Sequence, residues 1–352
     1  MTPRIRRWGL LLAALLAGAT AAHDDALPPA QEVVRQHLLG DARAALSRGE
    51  PDAALVPLET AAGMSHAADT ELLQLQMQLQ AGHIRQALAF AAHTAAAHRD
   101  EPAARALHLW LLAVSGQADY ARRRLNVGDP SDAALVRLLD GLALDQPLPG
   151  AAPAPWPHGV AVPQRARPVT TGLLLDAGQL ALVPASAAQG NATLWLRNGL
   201  GRASHARRAA ADPDLAALGL ALLHVEPPLP ATSSLTRAPR PAFAGSPASR
   251  LGMPRVDSAG PAWPVLQLGF LGRTDRHGAQ ALGWPRGALL SGGPVFDGAG
   301  RLIGLAMPGE DGGEHLLPAA ALPGLPVRSD AQAVTPDELY EGALPHIAQL
   351  LR

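Results

Sequence analysis

Ser291 lies in a sequence that can expose a hydroxyl group at a tight turn. Gly292 and Gly293 follow it and can adopt backbone angles closed to other residues, and the ring of Pro294 fixes its own φ. A serine presented in this way acts as a nucleophile when a histidine accepts its proton and a carboxylate orients that histidine. The same residues also fit an ordinary hairpin, so the catalytic interpretation depends on the rest of the chain.

The residues around this turn predict short strands. Val295 and Phe296 favour a strand, residues 297–300 (Asp-Gly-Ala-Gly) favour a reversal, and residues 301–305 favour the partner strand. Similar apolar segments, divided by glycine and proline, predict an all-β barrel or sandwich across residues 169–330. The predicted strands are 171–175, 180–183, 193–196, 220–225, 265–271 and 295–307.

Four segments of this β-rich half resemble trypsin-like serine peptidases in their order and spacing. Residues 171–188 resemble the first hairpin and the strand before the catalytic histidine, and residues 211–230 resemble the segment of the catalytic aspartate. Residues 291–309 and 315–322 resemble the nucleophile hairpin and the strand lining the specificity pocket. The resemblance covers residues 169–327 and implies two β-barrel halves, a final helix and a groove for an extended peptide.

The resemblance also implies that two catalytic residues are replaced. Ser186 follows Ala185 where the family has its histidine, and Gly219 stands where the family has its aspartate. Loss of the base alone lowers kcat by about 10⁶. We therefore expect a degenerate domain, a pseudo-peptidase, in which Ser291 is a turn residue or a hydrogen-bond donor.

The residues expected to form the oxyanion site and groove are Leu289, Ser291 and Gly292. The family places glycine two positions before the serine so that its amide can face the developing oxyanion. Leu289 occupies that position, and an unusual φ is costly for leucine. A local insertion would let Gly287 serve instead, which leaves this objection open.

Two histidines elsewhere in the chain are candidates for the base that would accept the proton of Ser291. His205 and His224 lie in the first barrel half, with Asp212 and Asp214 between them. A displaced dyad with Ser291 would make the protein an active serine endopeptidase or esterase. His224 alternates with apolar neighbours and is expected to face outward or to be hydrogen-bonded, whereas His205 lies among arginines and is expected in a solvated loop.

The segment 23–145 predicts an array of helices, because it is rich in Ala, Leu, Gln and Arg. Residues 73–80 alternate apolar residues with glutamine, a strand pattern, but lack β-branched and aromatic residues, so we predict a helix there too. Glycines recur 33 and 34 residues apart, each with alanine five positions later, which resembles tetratricopeptide repeats. These residues are Gly49, Gly82, Gly116, Ala54, Ala87 and Ala121.

A stacked helical array presents a concave face that binds peptides or proteins. The alternatives are that the helical half only packs against the second domain, or that it acts alone as an adaptor beside a structural β domain. Residues 146–168 are dense in proline and predict an extended linker, in which Trp156 and His158 dock on a neighbour. Residues 331–352 predict a C-terminal helix at 335–351 with a Thr335-Pro336 start, a Glu338 capping box and a kink at Pro345.

The first 22 residues predict a cleaved signal peptide, because a basic start precedes a short apolar run and several alanines. Losing its three arginines changes the formal net charge from −1 to −4, which argues against a nucleic-acid partner. The absence of cysteine excludes disulfides and thiolate metal sites. Lysine is absent and alanine is abundant, so we expect a bacterial periplasmic or secreted protein with no membrane span after cleavage.

The 13 histidines show no paired spacing on one element with nearby carboxylates, so neither a metal nor a cofactor is predicted. The function that fits these observations best is an exported pseudo-peptidase that binds peptides or proteins as a scaffold.

Overall fold

The computed structural model describes residues 27–125, 132–133, 135–136, 139, 154–231, 235–256, 259–276, 278–284, 289–309, 313–322 and 324–352. The expected signal peptide and the first part of the expected linker, 146–153, lie outside the described residues, as does Gly287. Across the described part of the chain, no helix has both the length and the apolar character needed to span a membrane.

Between residues 27 and 125, the helical half contains three consecutive helix pairs. The pairs are α1 Pro29–Ser47 with α2 Pro51–Met64, α3 Ala68–Gln80 with α4 Ile84–Ala97, and α5 Pro102–Leu112 with α6 Ala118–Arg124. A π-helical turn, Ala113–Gln117, joins the last two helices. Three of these helices begin with proline, which has no N–H to leave unbonded in the first turn. Residues 73–80 lie within α3, which confirms the helix prediction.

The glycine period corresponds to the turns within these pairs. Gly49, Gly82 and Gly116 have φ values of +77°, +81° and +90°, a left-handed conformation that glycine adopts without steric penalty. The alanine five residues after each glycine is completely buried, so the paired helices approach closely there. The helical array is therefore present with the expected period, and its assignment to the tetratricopeptide family stays an interpretation.

The strands of the β-rich half lie between residues 158 and 351. They are β1 His158–Gly159, β2 Pro168–Leu175, β3 Leu180–Pro184, β4 Leu194–Asn198, β5 Arg202–Arg208, β6 Leu220–Glu226, β7 Pro247–Gly252, β8 Val265–Thr274, β9 Gln280–Gly283, β10 Pro294–Phe296, β11 Leu302–Pro308, β12 Glu314–Pro318 and β13 Ile347–Leu351. Two short helices, α7 Pro213–Ala217 and α8 Pro336–Ala343, precede β6 and β13.

These strands close into two six-stranded antiparallel barrels. The first has the order β5-β4-β13-β2-β3-β6 and closes through β5 and β6, and β1 pairs parallel to β5 at its side. The second has the order β10-β11-β12-β9-β8-β7 and is closed as well. The double-barrel prediction is confirmed.

Strand β5 was not predicted as a strand. Its inward-facing residues are small and weakly apolar, namely Ala203, Ser204 and Ala206, while His205 and Arg207 are exposed. The strand therefore lacks the large apolar alternation that signals a half-buried strand. The expected solvated loop around His205 is wrong, because the cross-strand bonds to β4 and β6 hold it in the sheet.

The C-terminal prediction is confirmed only in its first half. Helix α8 begins after Thr335 with Pro336 in its first turn, but the Thr335 side chain makes no capping bond. Beyond Pro345 the expected helix is wrong, because residues 347–351 form β13 between β2 and β4. Proline interrupts the helical ladder, and the fully buried apolar residues that follow complete the first barrel.

One buried hydrophobic cluster contains residues of the helical half and of both barrels. Leu112 and Val114 belong to the same buried cluster as Leu266 of the second barrel and Leu173 of the first. The second half of the expected linker is extended and docks on its neighbours. Trp156 packs against the core of the first helix pair, and His158 lies against Gly49.

Candidate functional site

The turn at Ser291 is built as the sequence predicts. Gly292 has φ +93°, its N–H donates to Ala306 O at 2.7 Å, and β10 and β11 form the hairpin that follows. Asp297 closes this hairpin by accepting the N–H groups of Ala299 and Arg301, both at 3.0 Å. The turn therefore presents Ser291, which is partly exposed, at the start of a rigid hairpin.

Two buried threonines of β2 fix the main chain of this turn. The Thr171 N–H and the Thr170 hydroxyl each donate to Ser291 O at 2.7 Å. The Thr171 hydroxyl donates to Leu290 O at 3.2 Å and accepts the Met253 N–H at 3.0 Å. Residues 171–175 were predicted as a strand, without a role for their polar residue. Thr170 and Thr171 inside the otherwise apolar β2 are a signal that buried polar partners are needed.

The fold brings the three expected catalytic positions to one junction between the barrels. A Cβ on Gly292 would lie 2.4 Å from Thr171 O and 2.8 Å from Pro184 Cδ, so the Ser291 turn touches the end of β3. Ser186 follows that end on an exposed turn. The Ala185 N–H donates to Gly219 O at 2.8 Å, which places the aspartate-equivalent position beside the histidine-equivalent one.

Gly219 has a structural reason to be glycine. It follows α7 with φ +71°, and its N–H returns to Ala216 O at 3.0 Å, the geometry of a left-handed helix end. Asp212 begins the same helix, because its carboxylate accepts the N–H groups of Asp214 and Leu215 at 2.9 and 3.2 Å. Asp212 therefore acts as an N-cap in this structure.

The two candidate bases lie on the outer face of the first barrel. His224 is exposed and pairs with Leu180, at the end of β3 opposite Pro184, so it faces outward as expected. Four residues of strand separate it from the Ser291 junction, which is about 13 Å at 3.3 Å per residue. His205 is exposed and lies opposite Glu226, two residues further along β6. Within the described chain, no hydrogen bond joins the Ser291 hydroxyl to a histidine or carboxylate.

The segment before Ser291 is apolar and bound to its surroundings. Leu289 is 3% exposed and forms an antiparallel bridge with Pro254, and the Leu290 N–H donates to Met253 O at 2.9 Å. Among the described non-glycine residues, the positive φ values belong to Asp176 and Ala177. Leu289 therefore does not have a positive φ, the backbone conformation that favours glycine.

A buried ion pair supports this segment from inside the second barrel. Arg250 is 1% exposed, and its guanidinium donates to both carboxylate oxygens of Glu314 on β12, at 2.5 and 2.8 Å. The same guanidinium donates to Leu290 O at 2.5 Å. Charge-assisted bonds of this kind are stronger than neutral ones, so Arg250 couples β7, β12 and the Ser291 turn.

Two closed six-stranded barrels meet at the Ser291 turn. The β-rich half is a double β-barrel domain, the architecture expected from the resemblance to trypsin-like peptidases. A scan against protein-family models finds no match for this chain, and a search of the curated proteins finds none either.

Solved structures similar to this chain include two whose names describe them as proteases. An inactive serine-to-alanine mutant of Rv3671c from M. tuberculosis H37Rv is 19% identical, with a TM-score of 0.32 over 45% of this chain and 81% of that one. The apo MamO protease domain from Magnetospirillum magneticum is 16% identical, with a TM-score of 0.35 over 47% and 90%. The HtrA-type protease AlgW with a decapeptide is 20% identical, with a TM-score of 0.35 over 44% and 49%.

A second cluster of ionisable residues lies outside the β-rich half. His66, Glu71 and His93 each offer a ligand atom, and these atoms lie within 4.8 Å of one another. No metal site was predicted from the sequence, because no element carries paired histidines with nearby carboxylates. The tertiary structure collects these residues from three different places, namely α3, α4 and the loop before α3.

Proposed function

We propose that this protein is an exported pseudo-peptidase whose trypsin-like domain binds extended peptides or protein segments without cleaving them. The observation that carries the proposal is the composition of the junction at Ser291. Ser186 and Gly219 lie there, at the two positions where the resemblance implies a histidine and an aspartate, and His205 and His224 are exposed on the outer barrel face. A serine hydroxyl without a nearby proton acceptor is a poor nucleophile at neutral pH.

Peptide binding is supported by the pairing of β12. Among the described residues, this strand pairs with β11 along all five of its residues but with β9 only at His315 and Leu316. Strand addition beside Leu317, beyond the pairing with β9, holds a peptide through main-chain hydrogen bonds and needs no catalytic group. The Arg250–Glu314 ion pair keeps the first residue of this strand in place.

Export is the third part of the proposal and depends on residues 1–22. A chain expressed with these residues in a bacterial host is expected in the periplasm with His23 at its N-terminus. N-terminal sequencing of the periplasmic fraction checks this, and an intact leader on the cytoplasmic chain would contradict it.

A fluorophosphonate probe, which bonds to activated serines, tests the catalytic part. We expect the purified full chain to label no more than Ser291→Ala, while an active serine peptidase in the same experiment labels strongly. Ser186→Ala is the matched control, because it removes an exposed hydroxyl at the same junction. Labelling that disappears in Ser291→Ala but persists in Ser186→Ala would identify an active hydrolase and overturn the proposal.

Fluorescein-labelled casein, an unstructured polypeptide, tests the binding part separately. We expect its fluorescence anisotropy to rise with added protein while the casein band stays intact on a gel. Cleavage of the casein would contradict the loss of catalysis. An unchanged anisotropy would contradict peptide binding but leave the loss of catalysis standing.

A further inference from the structure

A carboxylate surrounded by three imidazoles lies inside the second helix pair. Glu71 stands on the first turn of α3, His66 just before that helix, His93 near the end of α4, and His98 directly after it. The antiparallel packing of α3 and α4 brings the start of one helix beside the end of the other. In the described chain, these three histidines are the ion-pair partners of Glu71.

Three side chains of this cluster offer ligand atoms within reach of one ion. The ligand atoms of His66, Glu71 and His93 all lie within 4.8 Å of one another. His66 Nε2 and His93 Nε2 lie 2.7 and 3.8 Å from Glu71 Oε1, and His98 Nε2 lies 3.5 Å from the other carboxylate oxygen, Oε2. In a tetrahedral zinc site with bonds of 2.0–2.1 Å, neighbouring ligand atoms are about 3.3 Å apart, so small side-chain movements bring the three ligands around an ion.

The burial of the cluster leaves two of its polar atoms without hydrogen bonds among the described residues. The side chains of Glu71 and His98 are 7% and 12% exposed. Glu71 Oε2 and His98 Nε2 are both buried and lack a hydrogen-bond partner among the described residues. A buried carboxylate oxygen without a partner is destabilising, and a bound cation removes that penalty.

Protonation of all three histidines is an unfavourable way to neutralise the Glu71 carboxylate. The rings of His66 and His98 are stacked with centroids 5.0 Å apart, and the ring of His93 meets that of His66 edge-on at 5.7 Å. Three imidazolium ions at these distances repel one another around a single carboxylate. A divalent cation instead binds neutral imidazoles, so it neutralises the carboxylate without that repulsion.

We propose that His66, Glu71 and His93 form a binding site for one divalent transition-metal ion, with Zn²⁺ as the best fit. Two imidazole nitrogens and one carboxylate oxygen are donors that suit zinc. His66 and His93 are 44% and 41% exposed, which provides a path for the ion from solvent. The ion ties the start of α3 to the end of α4, with His98 beside it.

Metal titration of the full chain tests this proposal. After dialysis against a chelator, isothermal titration with Zn²⁺ is expected to show one tight site per chain, and the thermal midpoint is expected to rise by several degrees. Co²⁺ in place of Zn²⁺ is expected to give the intense visible absorption of a tetrahedral centre. His93→Ala is expected to weaken Zn²⁺ binding by at least 100-fold and to abolish both effects.

Two further variants separate coordination from folding. Glu71→Gln preserves the shape of the side chain and is expected to lose the tight site while its far-UV circular dichroism is unchanged. His37→Ala removes a surface histidine of the same helical half, paired with Asp41 rather than with the cluster, and is expected to bind Zn²⁺ like the unmodified chain. Absence of a tight site in the unmodified chain, or equal binding by all variants, would overturn the proposal.

Discussion

At the scale of single residues, hydrogen bonds and close contacts fix the main chain of the Ser291 turn. Its carbonyl accepts two hydrogen bonds from Thr170 and Thr171 in the other barrel. The next residue, Gly292, has a left-handed φ of +93° and touches both β2 and the end of β3. The turn is therefore a rigid connection between the barrels as well as the place where a hydroxyl is presented.

Gly292→Ala is expected to destabilise the protein by about 2–5 kcal/mol. A left-handed conformation costs alanine about 1–2 kcal/mol, and overpacking adds about 1–3 kcal/mol because the new Cβ would lie 2.4 Å from Thr171 O. Gly190→Ala is the matched control, since Gly190 has φ +83° and nothing within 4 Å of its Cβ position. Urea denaturation measures both free energies, and equal losses for the two variants would refute the packing argument.

At the scale of elements, β13 shows how the last residues of the chain complete the first barrel. Ile347 pairs with Leu173, Ala348 pairs with Asn198, and all five residues of the strand are buried. Residues 335–351 have helix-start signals at one end and an apolar run at the other. Local propensity favours continuing the helix, but Pro345 interrupts it and the gap between β2 and β4 provides main-chain partners for a strand.

Acid is expected to destabilise the junction between α8 and β13. His346 is 4% exposed, and burial lowers the pKa of its imidazole despite a backbone hydrogen bond to Leu174. Because the unfolded chain binds this proton more readily, the stability from neutral His346 is complete above about pH 6.5 and decreases below it. The free energy of unfolding is therefore expected to decrease from pH 7 to pH 5.

The variant His346→Gln is expected to reduce that pH dependence, as measured by urea denaturation at each pH. His224→Gln, which removes an exposed imidazole from the outer barrel face, serves as the control. If His346→Gln kept the full slope between pH 7 and pH 5, another group would have to be responsible.

At the scale of the whole molecule, the helices and the barrels form one structural unit. A Cβ on Gly116, in the π-helical turn, would lie 3.1 Å from Leu266 on β8. The Arg85 N–H at the start of α4 donates to Glu341 at 2.7 Å, and the Arg85 side chain lies 3.5 Å from Asp337. Glu341 thus satisfies an N–H that α4 itself leaves unbonded, and α8 joins the helical half to the first barrel.

Thermal unfolding of the full chain is expected to be a single transition. Circular dichroism at 222 nm follows mainly the helices, whereas tryptophan fluorescence follows mainly the barrels, which contain Trp195, Trp263 and Trp284. The two probes are expected to give the same midpoint, because the cores are continuous.

Leu266→Ala is expected to destabilise both halves together by about 2–5 kcal/mol, because Leu266 is 2% exposed within the shared core. Leu58→Ala, in the separate core of the first helix pair, serves as the matched variant. A barrel transition displaced by Leu266→Ala while the helical transition stays in place would contradict a shared core.

The sequence by itself determined the features that depend on neighbouring residues. Glycines at positions 49, 82 and 116 end helices, and proline and alternating apolar residues set most strand boundaries. The Ser291 hairpin follows from its own glycines and Asp297. These are local effects, in which backbone freedom and turn chemistry act within a few residues, so they could be predicted without knowing the tertiary structure.

Only the tertiary structure decided which distant groups meet. The pairing of β13 with β2 joins residues more than 170 positions apart, and the threonines that hold Ser291 lie 120 positions before it. His66, Glu71, His93 and His98 come together only because two helices pack antiparallel. Burial and main-chain pairing select these contacts across long loops, and no pattern within one element encodes them.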